Sequence, residues 1–138
     1  MLDLAADVGV TLPESEPEAL AEAVKVSGTG DLVEYLEKFA ITLSLMQTPA
    51  SLERIAYELA EDSHRENVRY LEVRYSPILH TEMGMSLEEA VAAPLRGLGR
   101  AEGEFGIRTG LIICGIRSFD PSTSLRLARL AVDFMDQG

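Results

Sequence analysis

The chain has 138 residues, 46% of them apolar and 25% charged, which is ordinary for a globular domain and unlike a disordered one. Its net charge is −11, and 12 basic residues scattered among 23 acidic ones are a poor match for a phosphate backbone, so neither nucleic acid nor an anionic membrane is an expected partner. The single cysteine, Cys114, rules out an intrachain disulfide. The N-terminus lacks a basic region followed by a long apolar core, and no apolar run approaches the roughly 20 residues of a membrane span, so the expected location is cytoplasmic.

Residues 2–8 read as a short helix ended by Gly9 and Pro13. The polar stretch at 13–17 follows, and Pro17 suits the first position of a second helix that continues through Ala19 to Val26. Asp31 to Leu45 carries Leu32, Tyr35, Leu36 and Phe39 at helical spacing, a one-sided apolar stripe that periodicity alone assigns to core. Thr48-Pro49 is a helix cap followed by proline at the first helical position. The helix it opens places Leu52, Ile55, Ala56, Leu59 and Ala60 on one face and runs to about Glu66.

Arg69 to Ser76 alternates as a strand does, with Leu71, Val73 and Tyr75 toward covering helices and Glu72 and Arg74 sharing the opposite face. Ser86-Leu87-Glu88-Glu89 is a capping box, opening a helix to about Glu104 that Gly106 ends. Pro94 inside that helix removes one hydrogen bond at a cost of about 3 kcal/mol. Gly97, Gly99 and Gly103 each add about 1 kcal/mol against alanine, so a kinked or weakly constrained helix is expected. Leu111 to Ile116, flanked by glycines, reads as a short buried strand. Asp120-Pro121 then caps and starts a last helix to about Asp136.

Strand, helix, strand and helix in the second half predict parallel strands joined by crossovers. Strands of an open doubly wound sheet are covered on both faces and tend to be apolar throughout. The Glu72/Arg74 face suits the polar interior near a barrel mouth better. A complete (β/α)8 barrel takes about 250 residues, so a barrel reading makes the chain part of one.

A catalytic zinc needs about three ligands from histidine and carboxylate, with an open position for water. The histidines are His64, in a charged helix end, and His80, in the segment after the first strand. There is no His-x-His, no His-Glu-x-x-His and no cysteine cluster, so both histidines read as solvated surface residues. Cys114 lies in an apolar run and reads as a buried, inert thiol. Neither a catalytic residue nor a metal ligand is assigned.

Several segments, in order and at family spacing, carry a resemblance: Asp31-Leu-Val-Glu-Tyr-Leu-Glu-Lys-Phe39, Leu45-Met-Gln-Thr48, Arg54-Ile-Ala-Tyr-Glu-Leu-Ala60, Glu66-Asn-Val-Arg-Tyr-Leu-Glu-Val-Arg-Tyr-Ser-Pro77, Glu104-Phe-Gly-Ile107 and Cys114-Gly-Ile-Arg117. Together they resemble the adenosine deaminase family over nearly the whole chain. Ala40 stands where that family usually has Asp, and Ser118 where it has His. The resemblance implies an α/β fold, an incomplete (β/α)8 TIM barrel, with a helical lid region at 1–48 and βα units two and three at 49–138. It also implies a zinc-dependent hydrolase that converts adenosine to inosine and ammonia, with adenine or a modified adenine nucleoside as alternative substrates.

The family's metal ligands and its acid Glu are expected outside this chain, so the chain alone is expected to be inactive and to bind no zinc. By residue-for-residue match, Leu32, Tyr35, Leu36 and Phe39 line the nucleoside pocket as a lid, and Ser76, Leu79 and Ile116 lie near the same pocket. Arg74 and Arg117 resemble family arginines read as structural, the alternative for them being a buried ion pair with Glu72 as the partner. A non-enzymatic interaction module or a degenerate barrel remnant is the alternative reading, and exposed barrel edges are an expected route to self-association.

Overall fold

A computed structural model describes residues 1–25 and 32–137, with the side chains of Leu32 and Glu34 also outside the described residues. The expected start of the third helix at Asp31 therefore lies outside them, whereas the second helix stops at Val24, short of the expected Val26, because Lys25 is already extended at φ −74, ψ 136. The described helices are α1 (Leu2–Val8), α2 (Pro17–Val24), α3 (Leu32–Leu45), α4 (Pro49–Arg65), α5 (Leu87–Phe105) and α6 (Pro121–Asp133). The strands are β1 (Tyr70–Tyr75) and β2 (Arg108–Ile113), and a 3-10 turn at Pro77–His80 follows β1.

The helix starts are where the side-chain caps place them. The Thr48 hydroxyl accepts from the Ser51 amide at 3.2 Å, and the Asp120 carboxylate accepts from the Ser122 amide at 2.8 Å. At α5 both halves of the capping box are made: Ser86 Oγ accepts from the Glu89 amide at 3.2 Å, and Glu89 accepts from the Ser86 amide at 3.0 Å. Such caps contribute about 1 kcal/mol each. Gly106 ends α5 at φ 67, a left-handed conformation that costs any side chain but glycine's.

β1 and β2 pair in parallel, with Tyr70 opposite Arg108 and Tyr75 opposite Ile113. α4 and α5 cover one face of this sheet. Ala56, Ala60, Leu98, Ala101 and Ile107 form the core there, with Leu71, Val73 and Leu111 packed against them. A second cluster joins α5 to α6 through Leu87, Val91, Leu127 and Leu130. The small residues let α4 and α5 approach closely. A Cβ on Gly97 would stand 2.1 Å from the Glu53 carbonyl oxygen and 3.0 Å from the Tyr57 nitrogen. Around this crossing Arg96 donates to Glu53 at 2.8 Å, and Arg100 lies 3.8 Å from the centre of the Tyr57 ring.

The alternation expected of β1 holds. Leu71, Val73 and Tyr75 turn to the helices, while Tyr70, Glu72 and Arg74 are exposed on the other face beside Arg108 and Ile112. The sheet is thus apolar and covered on one side, polar and open on the other.

Other details differ from expectation. β2 begins at Arg108 and ends at Ile113, because pairing with β1 sets its span. The Arg108 amide donates to the Arg69 carbonyl at 3.0 Å, and Gly110 sits within the ladder opposite Glu72. Ile116 therefore lies beyond the strand. α6 stops at Asp133, and Leu59 on α4 is exposed rather than core-facing.

α5 continues through Pro94 as one helix. Proline has no N–H, so the Ala90 carbonyl loses its helical donor. The Tyr75 hydroxyl donates to that oxygen at 2.6 Å. A side chain from the strand thus replaces the missing helical hydrogen bond.

Candidate functional site at the strand ends

Parallel strands bring the segments that follow them to one end of the sheet, where α/β proteins place their ligands. Here those segments are Ser76 with the Pro77–His80 turn, and Cys114 to Ile116. Ser76 is buried, and its hydroxyl oxygen has no hydrogen-bond partner among the described residues. An unpaired buried hydroxyl is costly in a folded chain, so this one stands out at the strand end. Leu79 and Ile116 are half-buried after neighbouring strands.

The α3 residues form a second group. Tyr35, Leu36 and Phe39 are 43%, 56% and 44% exposed, and the Tyr35 and Phe39 rings meet edge to face at 4.9 Å. The Leu32 side chain lies outside the described residues. The stripe is therefore not core, against what periodicity alone predicts. α3 leans on α2, where Lys38 donates to the Ala23 carbonyl at 2.9 Å, and its aromatic edge is left facing solvent. No hydrogen bond or ring contact among the described residues joins this group to Ser76, Leu79 or Ile116.

The buried ion pair expected of Glu72 with Arg74 or Arg117 is not formed among the described residues. All three side chains are exposed, and Glu72 instead accepts from the Tyr70 hydroxyl at 2.9 Å. Among the described residues nothing covers the face that carries Glu72 and Arg74, and two exposed charges gain little from pairing.

Both histidine expectations are corrected as well. His80 is 3% exposed, with its Nδ1–H donating to the Met46 carbonyl at 2.9 Å and its ring 5.6 Å from that of Tyr75. His64 is half-buried and stacks on Phe105 at 5.3 Å. A 3-10 turn tucks His80 inward, and nothing in the sequence marks that turn beyond Pro77. Cys114 is partly exposed rather than buried, because β2 ends one residue before it.

Gln47, Tyr75 and His80 are the residues near this end that sequence reasoning missed. Burial pushes the Tyr75 phenol well up, so it remains a donor to Ala90. Burial also lowers the His80 pKa, opposed by its bond to Met46, and the folded chain holds the ring neutral. Stability is therefore highest above the ordinary histidine value of about 6.5 and falls as pH drops from there toward the lower folded-state value. Urea midpoints at pH 7.5 and 5.5 (chosen as about one unit either side of that value) are expected to differ in this direction. His80→Asn, which keeps a donor but cannot titrate, is expected to shrink the difference.

Among the described residues no group of three His, Cys, Asp or Glu side chains could hold a metal ion. The described residues do not fit a zinc site of their own. Two open clefts among the described residues lie away from this end. One of about 400 Å³ is lined by Tyr70, Leu98, Glu102 and Arg108, and one of about 530 Å³ by Glu53, Tyr57 and Arg100 on the outer surface of α4 and α5.

All 138 residues match the family model described as adenosine deaminase. A probable adenosine deaminase of Dictyostelium discoideum is 37% identical over 139 residues, covering 100% of this chain and 18% of the relative. An adenosine deaminase of Vibrio atlanticus is 38% identical over 126 residues, covering 91% of this chain and 38% of the relative. Among solved structures, an adenine deaminase from Arthrobacter aurescens superposes with a TM-score of 0.80 at 25% identity, over 96% of this chain and 40% of that one. An amidohydrolase from Burkholderia ambifaria, solved with bound zinc, superposes with a TM-score of 0.75 at 26% identity, over 96% of this chain and 35% of that one. The chain thus spans between 18% and 40% of these relatives' lengths.

Proposed function

The chain belongs to the adenosine deaminase family, and from that premise we propose that it is a segment of a (β/α)8 barrel that hydrolyses adenosine to inosine and ammonia. The match of all 138 residues to the family carries this reading. In it, residues 1–48 form the helical lid region, and 49–138 supply βα units two and three. The polar open face of the sheet, with Tyr70, Glu72 and Arg74, is then the inner wall of the barrel, and Arg74 and Arg117 support that wall. Strands with one face against helices and the other carrying Glu and Arg suit this placement.

The substrate is a purine nucleoside. Tyr35, Leu36 and Phe39 give an apolar cover under which a purine ring is shielded from water. The Ser76 hydroxyl is free to bond the nucleoside, and Leu79 and Ile116 are apolar walls. Adenine is the second candidate, favoured by the likeness to the Arthrobacter adenine deaminase.

Zinc belongs to the parent barrel, with its ligands and the acid that protonates the purine supplied from outside the described residues. The proposed location is cytoplasmic, with neither nucleic acid nor a membrane as partner. No helix among the described residues is long and apolar enough to cross a membrane. In isolation the unpaired outer edges of β1 and β2 give the chain a route to self-association.

Purified chain incubated with zinc and adenosine, followed by chromatography for inosine, is expected to match the protein-free blank. Inosine formed by the chain alone, and abolished by a chelator, would overturn the placement of the chemistry outside it.

A further inference from the structure

Gln47 and His80 are buried polar residues, 4% and 3% exposed, that the reaction proposed above does not use. They meet where the corner between α3 and α4 touches the turn after β1. The Gln47 side-chain amide donates to the Leu43 carbonyl in the last turn of α3 and to the Leu79 carbonyl, each at 2.9 Å. Its oxygen accepts from the Glu82 amide at 3.0 Å. His80 adds its bond to the Met46 carbonyl at 2.9 Å.

Both donors and the acceptor of the Gln47 amide are thus spent on main-chain groups. Three of these four bonds cross between segments that lie 32, 34 and 35 residues apart. No other side-chain hydrogen bond among the described residues links the α3 corner to the segment after β1.

We propose that Gln47 and His80 are positioning residues, a latch that fixes the C-terminal end of α3 to the turn after β1. The latch sets where the aromatic edge of α3 stands relative to Ser76 and Leu79. This inference rests on the reading of those two groups as one purine site. The chemistry at position 47 is strict. A glutamate there keeps an acceptor for Glu82 but turns a carboxylate toward two carbonyl oxygens. At position 80 any side chain with a donor at the Nδ1 position suffices, which asparagine provides.

Amide hydrogen exchange on the 138-residue chain tests it, comparing Gln47→Glu, His80→Ala and His80→Asn with the parent. Gln47→Glu and His80→Ala are expected to speed exchange at 43–48 and 77–82 on the order of ten-fold. Amides in the middle of α4 and α5 are expected to stay unchanged, and His80→Asn to restore the parent rates. Acceleration spread evenly over all helices would mean a merely global structural role and would overturn the latch, as would unchanged exchange at both segments. The readout involves no turnover, so a failed latch leaves the deaminase reading standing, and a failed deaminase reading leaves the latch result standing.

Discussion

Gly97→Ala is expected to destabilise the chain by about 3 kcal/mol or more, the upper end for overpacking a close contact. The added carbon would stand 2.1 Å from the Glu53 carbonyl oxygen. That atom is helix backbone, so relief requires α4 and α5 to move apart, which opens the core built on Ala56, Ala60, Leu98 and Ala101. The contrast lies in the same helix. A Cβ on Gly99 or Gly103 meets nothing within 4 Å. Gly99→Ala and Gly103→Ala are each expected to stabilise by about 0.5–1 kcal/mol, through helix propensity and a less flexible unfolded chain. Urea denaturation of the three variants reads all of this. An unchanged midpoint for Gly97→Ala would mean that the two helices do not approach so closely.

The second large effect is at Tyr75. Tyr75→Phe removes the donor that serves the Ala90 carbonyl, which Pro94 has already deprived of its helical partner. Ala90 is fully buried, so the orphaned oxygen is expected to cost about 1–3 kcal/mol. Pro94→Ala supplies a new N–H to the same oxygen. In that background Tyr75→Phe is expected to be nearly neutral, with a coupling of about 1 kcal/mol or more in a double-mutant cycle. Additive costs would show that the hydroxyl and the proline act independently.

Proline and glycine in α5 show what the sequence could and could not convey. Their helix cost is local and was legible: Pro94 lacks a donor wherever it sits. What balances that cost is Tyr75, 19 positions earlier and on another element, and no local rule finds it. The three glycines look alike in sequence, yet Gly97 alone of them lies at the α4–α5 contact. The caps at Thr48, Ser86 and Asp120 were legible because each acts within three residues of itself. The β1 alternation was legible because a single covered face imposes period two.

The candidate site was less legible, for three physical reasons. The end of β2 is set by pairing with β1, so Ile116 falls outside the strand where the apolar run placed it. Exposure of Tyr35, Leu36 and Phe39 depends on what lies over α3, which its own periodicity does not encode. Gln47 and His80 look like surface residues until a turn buries them against main-chain carbonyls. The expected Glu72 ion pair failed for a related reason, since a charged pair is buried only where something covers it.

In a deaminating barrel this segment is expected to supply a lid and two βα units, with the chemistry carried by the rest of the barrel. The most direct test exchanges the matching segment of the Vibrio atlanticus adenosine deaminase for this chain and measures inosine formed from adenosine by the zinc-loaded, cooperatively folded chimera. Turnover of adenosine in preference to adenine is expected. A folded, zinc-loaded chimera that leaves adenosine unchanged would sink the assignment of this segment to such a barrel.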